Sequence, residues 1–271
     1  MKVLIVTVAG TARRFNRELE RETAKCIFYR ENPQNALLYQ LCVKAEACDT
    51  IIIVGGYHYT EVCLFVERYI QQMPNRLHNI EMVFNPNYES YGSAYSLILG
   101  IEAAKKLSPE EIIFAEGDLF FDKACFDTII AAQKDTLSIN TIPIQSEKAV
   151  VLYEDMHHHV RYLYDTAHKA LRINEAFLAI YNSAQVWKFV DMERLFSVVK
   201  HLSEKQRMGT NLEIINAYFS EKTTEEIEIV VMKKWINCNT IYDYDDVLRN
   251  IISYAFSKNI GLPEGKEHEN T

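Results

Sequence analysis

The side chains best equipped for chemistry are two cations near the amino end and a carboxylate near the middle of the chain. Arg14 and Lys25 bracket a mostly polar run, Asn16 to Ala24. A guanidinium fork and an ammonium match the oxygens of a phosphate chain. Glu116-Gly117-Asp118 places a hard oxygen ligand that suits Mg²⁺, an ion that bridges protein carboxylates and phosphate oxygens. Far downstream, Asn237, Asn239, Thr240 and Asp243 form a second polar cluster after Trp235.

These residues work together only if the fold brings them together. Val3 to Ala9 is apolar and mostly β-branched, which predicts a strand buried on both faces of a parallel sheet. Gly10 follows at once, so Arg14 and the loop amides fall at the carboxyl edge of that sheet, where ligands of open α/β sheets bind. The loop is neither of two common phosphate fingerprints. Gly10 to Phe15 has one glycine of the three in G-x-G-x-x-G, and no G-x-x-x-x-G-K-[ST] occurs.

Further on, the apolar spacing predicts helices over 35–48, 60–72 and 93–106 and strands over 50–54, 80–84 and 112–115. This alternation implies a mostly parallel sheet with right-handed crossovers. Asp118 then lies at the same edge as Arg14. Beyond Asp122 the alternation is expected to stop. A hairpin is predicted over 149–164, a strand over 175–181, a long helix or helix pair over 184–205, a short helix over 211–219 and a strand over 227–231. His157-His158-His159 is not read as a metal site, because neighbours on a strand point to opposite faces.

The 271 residues are 48% hydrophobic, enough for a sizeable core. The net charge of −8 and the lack of a basic run argue against nucleic acid as partner. No 18-residue apolar run or leader pattern is present, so the expectation is a cytoplasmic protein with no membrane partner. The six cysteines form no C-x-x-C pair and read as reduced thiols.

The motifs resemble those of nucleotidyltransferases that activate phosphorylated metabolites. Ala9-Gly10-Thr11-Ala12-Arg13-Arg14 is similar to their A-G-x-x-x-R loop, with Lys25 as the lysine about ten residues on. Gly92-Ser93-Ala94 resembles their base-touching segment, Gly117-Asp118 their G-D motif, and Trp235 to Asp243 their W-x-E-I-D-T-x-x-D box. Trp235, Thr240 and Asp243 match that box, but Asn237 and Asn239 replace its two acids. The resemblance implies an α/β fold: a single Rossmann-like domain over 1–258 with a mostly parallel central sheet. A nucleotide-binding half covers about 1–122, and a smaller hairpin and helical acceptor-binding elaboration about 123–258. A polar, frayed tail covers 259–271.

The family's chemistry is attack by a substrate phosphate or phosphonate oxygen on the α-phosphorus of CTP, releasing pyrophosphate, by positioning and charge neutralisation. On that pattern Arg14 and Lys25 hold the β- and γ-phosphates, and Asp118 holds Mg²⁺, with Asn239 at the second metal position. Lys169 steadies the transferring group. Ala9, Gly10, Thr11, Ala12, Gly92, Ser93, Ala94 and Gly117 contact the nucleotide. Tyr181 and Glu213 are candidates for the acceptor. The branch it looks like includes bacterial choline-phosphate cytidylyltransferases, which serve surface-polymer or lipid decoration. A sugar-1-phosphate nucleotidyltransferase, a binding protein weakened by Asn239, and a glycosyltransferase using Glu116-Gly117-Asp118 as a D-x-D variant stay open. So does a homodimer.

Overall fold

The computed structural model describes residues 1–73, 79–145, 149–163 and 171–260, the last eight as backbone alone. The first part of the chain alternates as expected. β1 (Lys2–Val8) leads to one helical turn, α1 (Arg13–Asn16), then α2 (Leu37–Lys44), β2 (Thr50–Gly55), α3 (Tyr59–Phe65), β3 (Asn79–Phe84), α4 (Ser93–Lys105) and β4 (Glu111–Glu116). β1 pairs in parallel with β2 and β4, and β2 with β3. Val3 to Val6 and Ile51 to Val54 are wholly buried, as strands flanked on both edges and covered on both faces must be. α3 continues as a π-helical turn over Val66–Ile70, which keeps Val62, Phe65, Val66 and Ile70 on one buried side.

The alternation does not stop at Asp122. β5 (Leu119–Phe121) leads to α5 (Lys123–Ala131) and β6 (Thr136–Asn140). Asp122 caps α5, accepting from the Cys125 N–H at 2.8 Å. β6 hides in the sequence because Thr136, Ser138 and Asn140 are polar, yet all three are buried. The expected hairpin is β7 (Val151–Asp155) and β8 (Val160–Leu163). Asp155 builds its turn, accepting from the N–H groups of His157 and His159 at 2.8 and 3.0 Å.

β9 (Phe177–Phe189) corrects the helix expected over 184–205. Its second half lies between β4 and β6, antiparallel to both. A strand in that position is covered on both faces, so Val186 and Trp187, which point to opposite faces, are both buried, and Lys188 is buried too, paired with Glu111 and donating to the Ile130 carbonyl. Helix begins only at α6 (Met192–His201), capped by Asp191, and passes to α7 (Glu204–Arg207). α8 (Leu212–Phe219), β10 (Glu228–Met232), β11 (Trp235–Asn237) and α9 (Ile241–Ile260) complete the order.

The main sheet runs β10-β6-β9-β4-β1-β2-β3, with the β7–β8 hairpin attached to β9, while β5 and β11 pair separately. Large apolar clusters cover each face: Ile5, Leu97 and Trp187 belong to one, Leu4, Leu41 and Phe126 to the other. The result is the expected α/β fold with a mostly parallel central sheet. The second half of the chain is not a separate layer, because β9 is built into the sheet beside β4.

Candidate functional site

β1 and β4 run side by side in parallel, so their carboxyl ends open on the same edge. After β1, Ala12 turns the chain with a left-handed φ of 51°, and α1 carries Arg14. A methyl placed on Gly10 would meet nothing within 4 Å, whereas one on Gly117 would lie 2.3 Å from Val8 Cγ1. Gly117 therefore lets the turn after β4 close onto β1, and its N–H donates to the Thr7 carbonyl at 3.0 Å. β11 pairs antiparallel with β5, the strand that starts just after Asp118. That ladder carries the Trp235 box across to Asp118, whose carbonyl accepts from the Cys238 N–H at 2.9 Å.

Four distant stretches thus converge. Lys25 Nζ lies 2.8 Å from Asp118 Oδ2, and Arg14 Nη2 donates to Asn239 Oδ1 at 2.9 Å. Lys25 Nζ also reaches Asn239 Oδ1, at 3.5 Å. Asp243 accepts from the N–H groups of Asn239 and Thr240 and so fixes the start of α9. A cleft of about 1280 Å³ opens over this edge. Arg14, Lys25, Asp118 and Asn239 line it, as do Ala9, Gly10, Ala12, Gly92, Ser93 and Gly117. Thr11, Ala94, Tyr181 and Glu213 are not among its described lining residues. Ala94 is fully buried, Tyr181 packs against the core, and Glu213 packs over Gly209. Lys169 lies outside the described residues.

The Gly92 segment has a second job. The Gly92 and Ala94 N–H groups donate to the carbonyls of Met208 and Gly209, at 2.9 and 3.2 Å. A Cβ at Gly92 would stand 2.1 Å from the Gly209 carbonyl oxygen. Ser93 Oγ accepts from the Asn211 N–H at 2.9 Å, and Asn211 Nδ2 donates to Glu116 Oε1 at 2.6 Å. Asn211 therefore links the loop before α4 to the end of β4. Burial, and then the neighbouring Asp118 charge, push the Glu116 carboxyl up to about 7. Sequence reasoning gave Asn211 no role. The polar Asn182-Ser183-Ala184-Gln185 interruption of an apolar run was a signal it passed over.

The donor set can be tested against a divalent cation. Asp118 Oδ1 is buried with no hydrogen-bond partner, while its other oxygen pairs with Lys25. An unpaired hard oxygen beside a second carboxylate, Glu116, fits Mg²⁺. Asn239 is differently engaged: its one carbonyl oxygen faces Arg14 and Lys25, and its Nδ2 donates to Asn237 Oδ1 at 2.8 Å. Among the described residues no group of three or more His, Cys, Asp or Glu side chains converges to hold a metal. The nearby thiols are not nucleophiles, since burial pushes Cys26 and Cys238 up to about 12.

A family model described as "Domain of unknown function (DUF6564)" matches residues 21–251. The chain belongs to the DUF6564 family. No curated protein matches it. The fold of this DUF6564 member is that of solved nucleotidyltransferases. An inositol-1-phosphate CTP transferase from T. maritima superposes with a TM-score of 0.65 at 14% identity, over 92% of this chain and 96% of its own. A putative glucose-1-phosphate thymidylyltransferase from Bacillus anthracis gives 0.68 at 14% identity, over 98% of both chains. The CTP:phosphocholine cytidylyltransferase of Streptococcus pneumoniae gives 0.60 at 17% identity, over 93% and 99%. Among the described residues no helix is long and apolar enough to cross a membrane.

Proposed function

We propose that this chain is a nucleotidyltransferase. It moves CMP from CTP to a small phosphorylated or phosphonate acceptor and releases pyrophosphate. The observation that carries the reading is the meeting of Arg14, Lys25, Asp118 and Asn239 in one cleft, from four separate stretches, at the carboxyl edge of the sheet. The neighbours are named for inositol 1-phosphate, glucose 1-phosphate and phosphocholine, all small phosphate monoesters. A phosphocholine-like and a sugar-1-phosphate acceptor are both consistent with the fold.

An acceptor phosphate oxygen forms a bond to the α-phosphorus as the bond to the β-phosphate breaks. Arg14 and Lys25 hold the β- and γ-phosphates and take up the negative charge of the leaving pyrophosphate. Residues 1–122 provide the nucleotide side of the cleft and residues 123–258 most of the acceptor side. Asp118, with Glu116 beside it, would hold Mg²⁺, which neutralises phosphate charge when bound. Asn211 fixes Glu116 in place and Gly117 fixes the height of Asp118 over β1. Pyrophosphate release, measured with each nucleoside triphosphate against a panel of phosphorylated alcohols and sugars, tests the reading.

A second reading has its own observation. Asn237 and Asn239 bond to one another and the Asn239 oxygen is filled by two cations, which suits a protein that binds nucleotide without transferring it. It predicts nucleotide binding by calorimetry with no pyrophosphate release from any acceptor.

A further inference from the structure

β9 crosses the cleft with an irregularity that nothing in the nucleotide reading uses. Its register against β6 slips: Leu137 faces Trp187, but Ile139 faces Ser183, so extra residues of β9 bulge out between them. Gln185 sits in this bulge with a left-handed φ of 59°, rare for a residue with a side chain. The strained turn is held from three sides. The Gln185 N–H donates to Ser183 Oγ at 3.1 Å, and Trp235 Nε1 donates to the Ala184 carbonyl at 2.7 Å. Ser138 Oγ bridges both backbone groups of Val186, at 2.7 and 2.9 Å. A bulge fixed this firmly beside a cleft re-aims a side chain.

It aims the Gln185 carboxamide, and Asn182 stands on the regular ladder just before it, paired with Asn140 and Val151. Asn182 and Gln185 both line the cleft while being only 7% and 3% exposed. Asn182 Nδ2 donates to the Ile142 carbonyl at 3.2 Å, which settles the orientation of the amide, since only the nitrogen can donate. Its Oδ1 is then left buried with no partner. The Gln185 carboxamide makes no hydrogen bond among the described residues. An unpaired buried acceptor and a free carboxamide that line the same cleft call for a ligand with hydroxyl groups. It does not suit a quaternary ammonium, which has no hydrogen to give and needs a carboxylate or an aromatic face. Of the lining aromatic residues, Tyr88 and Tyr91 lie in the loop after β3, while Trp235 stands against the bulge with its N–H spent on the Ala184 carbonyl.

We propose that Asn182 and Gln185 form a hydroxyl-recognising subsite, so that the acceptor is the phosphate monoester of a polyol or sugar rather than of choline. This rests on the reading of the cleft as a nucleotidyl-transfer site. Calorimetry with glucose 1-phosphate, inositol 1-phosphate and phosphocholine, in the presence of a non-hydrolysable CTP analogue, tests it. Gln185→Gly is the variant of choice, because glycine relieves the left-handed φ and the fold is kept. The expected result is that at least one polyol phosphate binds tenfold or more tighter than phosphocholine. Gln185→Gly should then weaken that binding about tenfold while nucleotide affinity and melting temperature hold. Equal or tighter phosphocholine binding, no binding of any probe, or polyol binding untouched by Gln185→Gly would overturn it. Pyrophosphate release is read separately. A polyol phosphate that binds through Gln185 but supports no release with any triphosphate would sink the transferase reading and leave the subsite standing.

Discussion

Lys25 and Asp118, 93 residues apart, form an ion pair of 2.8 Å in the wall of the cleft, and the pairing leaves Asp118 Oδ1 buried and unmatched. Removing either partner therefore does more than remove a contact. Lys25→Ala should strip Asp118 of its charge partner next to Glu116 and cost about 1–3 kcal/mol of stability. Urea denaturation reads that loss, and an unchanged midpoint contradicts the pairing.

Arg14 is more exposed and bonds only to Asn239 among the described residues. Arg14→Ala should leave stability nearly unchanged and weaken CTP binding. A charge-assisted bond to phosphate is worth roughly 1.5–3 kcal/mol, about tenfold or more in affinity. Calorimetry with CTP checks this, and equal affinity for both proteins speaks against the loop as a phosphate site.

Asn239→Asp places a carboxylate where the related box carries one, against Arg14 and Lys25. Activity should then reach half-maximum at a lower Mg²⁺ concentration. A titration of rate against Mg²⁺ that shows no shift, or a loss at every concentration, would mean that Asn239 serves only to hold the two cations.

Gly92→Ala should fail for a packing reason. Its backbone is extended, so the problem is not conformation but the Gly209 carbonyl oxygen 2.1 Å from the new methyl. Displacing that segment costs about 1–3 kcal/mol, as overpacking does. It also disturbs Asn211 and hence Glu116, so both stability and nucleotide affinity should fall together.

Much of this was legible in the chain. The buried strands β1, β2 and β4 announce themselves as β-branched runs, and the turns after β1 and β4 place Arg14 and Asp118 on one edge. The β9 strand was not legible past Tyr181. Val186-Trp187-Lys188-Phe189 is apolar but for Lys188, whose buried ammonium finds Glu111 and the Ile130 carbonyl only in the fold, so strand and helix cannot be told apart from the stretch alone and its neighbours decide. β6 was missed because Thr136, Ser138 and Asn140 look exposed, yet Ser138 and Asn140 spend their polar groups inside, on β9 carbonyls. The role of Asn211 could not be read either, because it depends on a long-range approach of α8 to β4.

Lys44 offers a test of stability away from the cleft. It is almost wholly buried, with Nζ 4.2 Å from the Phe120 ring centre, and burial lowers its ammonium from 10.5 to about 7 despite the nearby Asp122. The unfolded chain binds the extra proton between those values, so this group makes the fold more stable as pH rises from about 7 to 10.5. Lys44→Met should stabilise the protein at pH 6 by on the order of a few kcal/mol and flatten that rise. Glu116 acts in another window: its raised value makes stability fall as pH climbs from 4.5 to about 7. Denaturation midpoints at pH 4.5, 7 and 9 separate the two, the first interval reading Glu116 and the second Lys44.

The most direct test of the central claim is pyrophosphate release by the full chain with Mg²⁺, each of the four nucleoside triphosphates and a panel of phosphate monoesters, run beside Asp118→Asn. The account predicts release that depends on both nucleotide and acceptor, greatest with CTP, and abolished by Asp118→Asn. No release with any pair, or release that Asp118→Asn leaves intact, would contradict it.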